Sequence, residues 1–219
     1  WWKSYSQKRH RNKRPYWSSK KAHEKGFGLI KLAILGSTRG TDVVPIAEAI
    51  LSGELSASIE IIITNNGDAP IADKAKKYGV DFLFIDHKKK SRECFDEQIS
   101  KKLLEKEVDL VLLIGFMRIL SRSFISKWNK KILNVHPSLL PKYAGGMNNN
   151  VHESVLKNKD VETGCTVHLV TAEVDEGPIL VQKKCCVLED DTVETLKKRV
   201  QKLEGEALIQ AIKSWGKNE

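Results

Sequence analysis

LIKLAILGSTRGTDVVPIAEAILS, residues 29–52, reads as an apolar run, a glycine-bearing turn and then a stretch with helical spacing. Leu29–Leu35 suits a strand covered on both faces, Gly36–Asp42 carries turn chemistry, and Val44–Ser52 continues as a helix. The alternation repeats downstream, with strands expected at Ser58–Thr64, Asp81–Ile85, Asp109–Ile114 and Ile132–Val135. Helices are expected near Pro70–Tyr78, Ser91–Glu107 and Ser121–Trp128. Phe95, Ile99, Leu103 and Leu104 recur at helical spacing, a core stripe. Strands alternating with helices predict an α/β fold with a doubly wound, mainly parallel sheet. Beyond Pro141 two extended segments, Thr163–Ala172 and Pro178–Val187, flank an Asp-Glu-Gly-Pro turn and predict an antiparallel hairpin at the sheet edge. A helix over Thr192–Trp215 closes the chain, with Val193, Leu196, Val200, Leu203, Leu208 and Ile212 on one face.

The 219 residues are 41% hydrophobic and 30% charged, which suits one globular domain. A net charge of +9 suggests a nucleic-acid or membrane partner until it is divided along the chain. Residues 1–30 hold nine basic groups against Glu24, whereas the rest holds 28 basic and 27 acidic groups. The expected organisation is a basic, disordered extension at 1–28 and a nearly neutral catalytic domain at 29–219. The aromatics of the arm, Trp1, Trp2, Tyr5, Tyr16 and Trp17, could stack on single-stranded nucleic acid. An unremarkable extension or processed leader is favoured instead, because the chain does not begin with Met. Four cysteines, Cys94, Cys165, Cys185 and Cys186, form no CxxC pair and suit a reduced compartment. No run of about 18 apolar residues is present, so a membrane span is not expected. A cytoplasmic location follows, with organellar import of a longer precursor as the alternative.

Three segments carry chemistry. In Gly36–Asp42, GSTRGTD, a strand–turn–helix junction offers free N–H groups and a helix dipole to an anion, but it is neither GxGxxG nor a Walker A loop. An ordinary turn with Thr41 or Asp42 as N-cap is equally compatible. In Leu133–Tyr143, LNVHPSLLPKY, Asn134 and His136 are two apart at a strand end and so share one face. An amide donor beside an imidazole can stabilise an oxyanion and carry a proton. In His168–Leu180, Asp175 sits in the hairpin turn; a carboxylate near His136 would fix its tautomer or raise its pKa.

GFMRILS (Gly115–Ser121), NVHPSLLPKY (Asn134–Tyr143), GCTVHLVTAEVDEGPI (Gly164–Ile179) and RVQKLEGEAL (Arg199–Leu208) occur in this order. Together they resemble the 10-formyltetrahydrofolate-dependent formyltransferase family, and within it the branch acting on glycinamide ribonucleotide in purine synthesis. The likeness runs from about Leu32 to Trp215 and implies a Rossmann-like sheet. It also implies metal-free acyl transfer between small molecules, with 10-formyltetrahydrofolate as cosubstrate, by a monomer or homodimer. Asn134, His136 and Asp175 match the family's catalytic trio, and His168 a supporting histidine. A protonated His136, favoured by Asp175, would stabilise the developing charge. No covalent enzyme intermediate is implied, so nothing is asked of Ser138 or the cysteines.

By the same resemblance, Gly40, Thr41, Asp42, Gly115, Pro137, Gln201 and Glu204 match the ribonucleotide site, with Glu204 on the ribose hydroxyls. Met117, Arg118, Ile119, Leu120, Val170 and Thr171 match the folate site, and Arg92 a residue near the folate's glutamate tail. The chain departs from the family where Asp42 replaces the common Asn, where Ala144–Asn150 lengthens a loop, and where Gly205 replaces a usual His. Three kinds of relative within the family have other activities. A methionyl-tRNA formyltransferase would carry a C-terminal tRNA-binding domain, whereas this chain stops at Glu219. A formyltetrahydrofolate deformylase would carry an N-terminal regulatory domain larger than the arm. A sugar-nucleotide formyltransferase differs in its amine acceptor, and Gly36–Asp42 with Glu204 favours a phosphoribosyl one. A basic-arm nucleic-acid binder on an inactive scaffold is the reading outside enzymes.

Overall fold

The computed structural model describes residues 29–145 and 150–217. The expectations for the arm at 1–28 and for the tip of the lengthened loop, residues 146–149, lie outside them. Seven strands form one sheet in the order β3-β2-β1-β4-β5-β6-β7. They are β1 Ile30–Leu35, β2 Ala57–Thr64, β3 Asp81–Phe84, β4 Leu110–Leu113, β5 Ile132–His136, β6 Glu162–Leu169 and β7 Ile179–Cys186. The first five run parallel, and β6 and β7 pair antiparallel beyond β5. This is the expected doubly wound sheet with an antiparallel edge.

Among the described residues six helices cover the sheet: α1 Val43–Leu51, α2 Ile71–Tyr78, α3 Arg92–Glu105, α4 Arg122–Lys127, α5 Val151–Lys157 and α6 Val193–Trp215. Leu32 and Ile34 of β1 enter a core shared with α1, α2 and α6. Ala33 and Leu35 face the opposite core with Phe95, Ile99 and Leu103 of α3 and Phe124 of α4. Strands apolar on both faces therefore need helices on both faces. Glu60 is the one charged residue within β2, and the β1–β2 register shifts beside it, between the pairs Leu32–Ile59 and Ala33–Ile61. A bulge turns the glutamate out of the alternation and leaves it half-buried, accepting from the Ser58 hydroxyl at 2.5 Å.

Helix starts follow local chemistry. Ser91, Ser121 and Thr192 accept backbone N–H groups of Cys94, Phe124 and Thr195. Two expectations need correction. Val170–Ala172 is loop, because β6 slips register at Val167/His168 and the Val170 N–H goes instead to the Ile132 carbonyl. Helix α5 was not expected; Asn150 caps it through the Glu153 N–H, and Val151 and Val155 bury one stripe against Leu196 of α6. Among the described residues, no helix is long and apolar enough to cross a membrane.

Candidate active site

The strand order reverses between β1 and β4, so the loops after β1, β4 and β5 open into one crevice at the carboxyl ends of the strands, where ligands bind in such sheets. A cavity of about 330 Å³ lies there, lined by Asn134, His136, His168 and Asp175 and by the apolar Phe116, Met117, Ile119, Leu120 and Val170.

The polar end is built by register. Asn134 of β5 stands opposite His168 of β6, with its Nδ2 3.1 Å from His168 Nε2. His168 Nδ1 lies 2.9 Å from its neighbour's carbonyl, Leu169 O. A carbonyl only accepts, so Nδ1 carries a hydrogen, and Nε2 is the ring atom turned to the Asn134 amide and to Asp175. This orients Asn134 and leaves its second N–H for another acceptor.

Asp175 adopts φ +58°, a left-handed turn conformation that Asp tolerates. Its Oδ2 accepts the Gly145 N–H at 2.9 Å and lies 3.4 Å from His136 Nε2, while Oδ1 lies 3.6 Å from His168 Nε2. Two residues on, Gly177 is required, because a Cβ there would sit 1.7 Å from the Leu169 carbonyl oxygen. Burial alone would raise the Asp175 pKa; His168, the Gly145 N–H and His136 outweigh it and hold the carboxyl below its usual value.

For His136 the balance falls the other way. Burial lowers its pKa, the Asp175 charge opposes this, and His168 adds to the lowering. Burial thus favours the neutral imidazole over the protonated form that the resemblance implies, with the Asp175 carboxylate beside it.

The loop after β4 forms the apolar wall and is held at both ends. Met117 N–H donates to Ser37 Oγ at 2.9 Å, and Ser121 N–H to the buried carboxylate of Asp96 at 2.6 Å. Between them the Arg118 guanidinium lies 4.6 Å over the Phe95 ring, with its Nε buried and unpartnered. Gly115, Pro137 and Thr171 also line the cavity.

Gly40, Thr41, Asp42, Gln201 and Glu204 do not line it; they form a second cluster where the start of α1 meets α6. Gln201 Nε2 donates to Thr41 Oγ1 at 3.4 Å. Arg199 forks onto Asp191 at 2.6 and 2.8 Å and also donates to the Cys186 carbonyl, which fixes α6 against β7. Gly205 permits the close helix contact, since a Cβ there would lie 2.5 Å from Pro45 Cγ. Asp42 occupies the N-cap position of α1, but its side chain makes no cap bond. Burial pushes its pKa up to about 7. Glu204 is raised by burial and further by Asp42, with Lys197 opposing. Arg92 is exposed on the first turn of α3, outside the cavity lining.

The sequence reading missed His152. It lies on α5, lines the cavity, is buried with an unpartnered Nδ1, and is pulled down to about pKa 4 chiefly by burial. The Val151–Val155 spacing after Asn150 was the signal that could have found it. Among the described residues, no group of three or more His, Cys, Asp or Glu is placed to hold a metal ion.

A family model described as formyl transferase matches residues 30–212. The chain is 34% identical over 187 residues to phosphoribosylglycinamide formyltransferase of Escherichia coli (strain K12), covering 85% of this chain and 86% of that one. It is 43% identical over 172 residues to the trifunctional purine biosynthetic protein adenosine-3 of Bos taurus, 78% of this chain but only 17% of the relative's length. The solved glycinamide ribonucleotide transformylase 1 of Symbiobacterium toebii superposes with a TM-score of 0.83 at 34% identity, covering 91% of this chain and 94% of that one.

Proposed function

The chain belongs to the formyl transferase family, and from that membership we propose that it transfers the formyl group of 10-formyltetrahydrofolate to the amine of glycinamide ribonucleotide in purine synthesis. The observation that carries this reading is the convergence of Asn134, His136, His168 and Asp175 at the polar end of an otherwise apolar cavity. Similarity over most of the length of a bacterial phosphoribosylglycinamide formyltransferase supports this acceptor over the alternatives.

The residues present fit a folate. Met117, Ile119, Leu120 and Val170 offer an apolar wall to a flat ring, and the buried, unpartnered Nε of Arg118 offers a donor. When bound, the cosubstrate supplies an activated formyl carbon. Asn134, oriented by His168, directs its free N–H at the oxygen on which negative charge develops. Neutral His136 takes the proton of the attacking amine at Nε2, Asp175 beside it stabilises the imidazolium that results, and that proton passes to N10 of the folate as the bond between N10 and the formyl carbon breaks. Gly40, Thr41 and Asp42 at the start of α1 receive the phosphate, and Gln201 and Glu204 of α6 with Gly115 and Pro137 of the cavity lining surround the rest of the ribonucleotide, Glu204 on the ribose hydroxyls. Arg92, near the tail of the folate, rests on the resemblance alone.

The test is consumption of 10-formyltetrahydrofolate with glycinamide ribonucleotide, with a sugar-nucleotide amine, or with water as acceptor. Turnover that requires glycinamide ribonucleotide is expected. Equal turnover with water alone would make the protein a hydrolase and contradict the proposal.

A further inference from the structure

We propose that Ser138 is a positioning residue that fixes the tautomer of His136, so that the proton gained in the reaction arrives at Nε2. Ser138 is 1% exposed, and its Oγ has two neighbours: the Lys142 carbonyl oxygen at 2.6 Å and His136 Nδ1 at 3.0 Å. A serine hydroxyl has one proton and a carbonyl can only accept. The hydroxyl donates along the shorter bond to Lys142 O, and Nδ1 must then carry the hydrogen it gives to Oγ. The opposite arrangement, Oγ–H to Nδ1, would withdraw that donor from the Lys142 carbonyl and put a hydrogen on Nε2.

Ser138 is held on its backbone side as well. Its own carbonyl accepts the Thr166 hydroxyl at 2.7 Å, and Thr166 Oγ1 in turn accepts from the Leu140 N–H and Gln182 Nε2, each at 3.0 Å. The serine is thus set by the β6–β7 hairpin and cannot turn toward the cavity without breaking this network. Leu169 O does for His168 what Ser138 does for His136, so the two imidazoles present Nε2 to opposite oxygens of Asp175, at 3.4 and 3.6 Å. On His136 this leaves Nε2, beside Asp175 Oδ2, to take a proton.

The catalytic consequence rests on the formyl-transfer reading; the tautomer does not. The deciding experiment is long-range proton–nitrogen NMR on the full chain labelled with 15N-histidine, above the titration of His136, for the wild type, Ser138→Ala and Ser138→Thr. Wild type and Ser138→Thr are expected to show protonated Nδ1 and bare Nε2 on His136, and Ser138→Ala a shift toward the Nε2–H form. In the formyl-transfer assay kcat of Ser138→Ala should fall roughly 10- to 100-fold, with both KM values little changed and Ser138→Thr restoring turnover. A wild-type His136 with hydrogen on Nε2, or an unchanged tautomer in Ser138→Ala, would overturn the assignment; the wild-type spectrum decides it even if the alanine variant fails to fold. An inactive wild type with protonated Nδ1 would instead defeat the functional reading and uphold this one.

Discussion

His136 is the residue on which the chemistry turns, and its environment predicts a pH profile. Burial lowers its pKa, so it is neutral and able to accept a proton throughout the neutral range. The log of kcat/KM against pH should be flat near neutrality and fall on the acid side at a pH below about 6.5, the ordinary histidine value. An acid limb above that value would mean that Asp175 outweighs burial, and the neutral-base role would fail. Asn134 acts differently, by aiming one N–H. Removing a donor of this kind costs about 2.7–4 kcal/mol, so Asn134→Ala should lower kcat by roughly 10²–10³ with little pH dependence. That Asn134 and His136 share a strand end was legible in the sequence because their motif is local, whereas the approach of Asp175 to His136 was expected from the resemblance alone. His152 was not, since its burial and its unpartnered Nδ1 exist only once α5 folds against α6.

At the scale of elements, the junction of α1 and α6 stores a charge conflict. Asp42 and Glu204 are both buried and both raised, and each disfavours ionisation of the other. For Asp42, with an ordinary value of 3.8 and a folded value of about 7, the sign is fixed. The protonated native form is favoured; its stability contribution is complete below the ordinary value and is lost as pH rises through about 7. Asp42→Asn should therefore raise Tm more near pH 8 than near pH 5, and an equal gain at both would contradict the burial argument. The same junction tolerates no side chain at 205. Gly205→Ala should destabilise by about 1–3 kcal/mol in a denaturant titration, because the Pro45 ring cannot move aside cheaply. The strands and long helices followed from hydrophobic period and caps. Helix α5 did not, its two-turn pattern being hidden behind the asparagine run, and neither did the end of β6, which is set by pairing with β5 and β7 rather than by its own residues.

At the scale of the molecule, two cores flank one sheet, and the site stands where the winding reverses. Phe95 joins both levels: fully buried in the α3 core, it also carries the Arg118 guanidinium at the cavity wall. Phe95→Ala should cost about 3–5 kcal/mol of stability and raise the folate KM at temperatures where the variant is still folded. The doubly wound sheet with its antiparallel edge was legible because α/β alternation admits few topologies. The meeting of Asp42 with Glu204 was not, since 160 residues separate even Thr41 from Gln201, a pairing that only packing reveals.

Whether His136 moves the proton in formyl transfer is decided by turnover of His136→Ala at saturating 10-formyltetrahydrofolate and glycinamide ribonucleotide, alongside its circular dichroism and Tm. A loss of roughly 10²–10⁴ in kcat is expected, with a native spectrum and a Tm close to wild type. A folded His136→Ala protein with near wild-type turnover would contradict it.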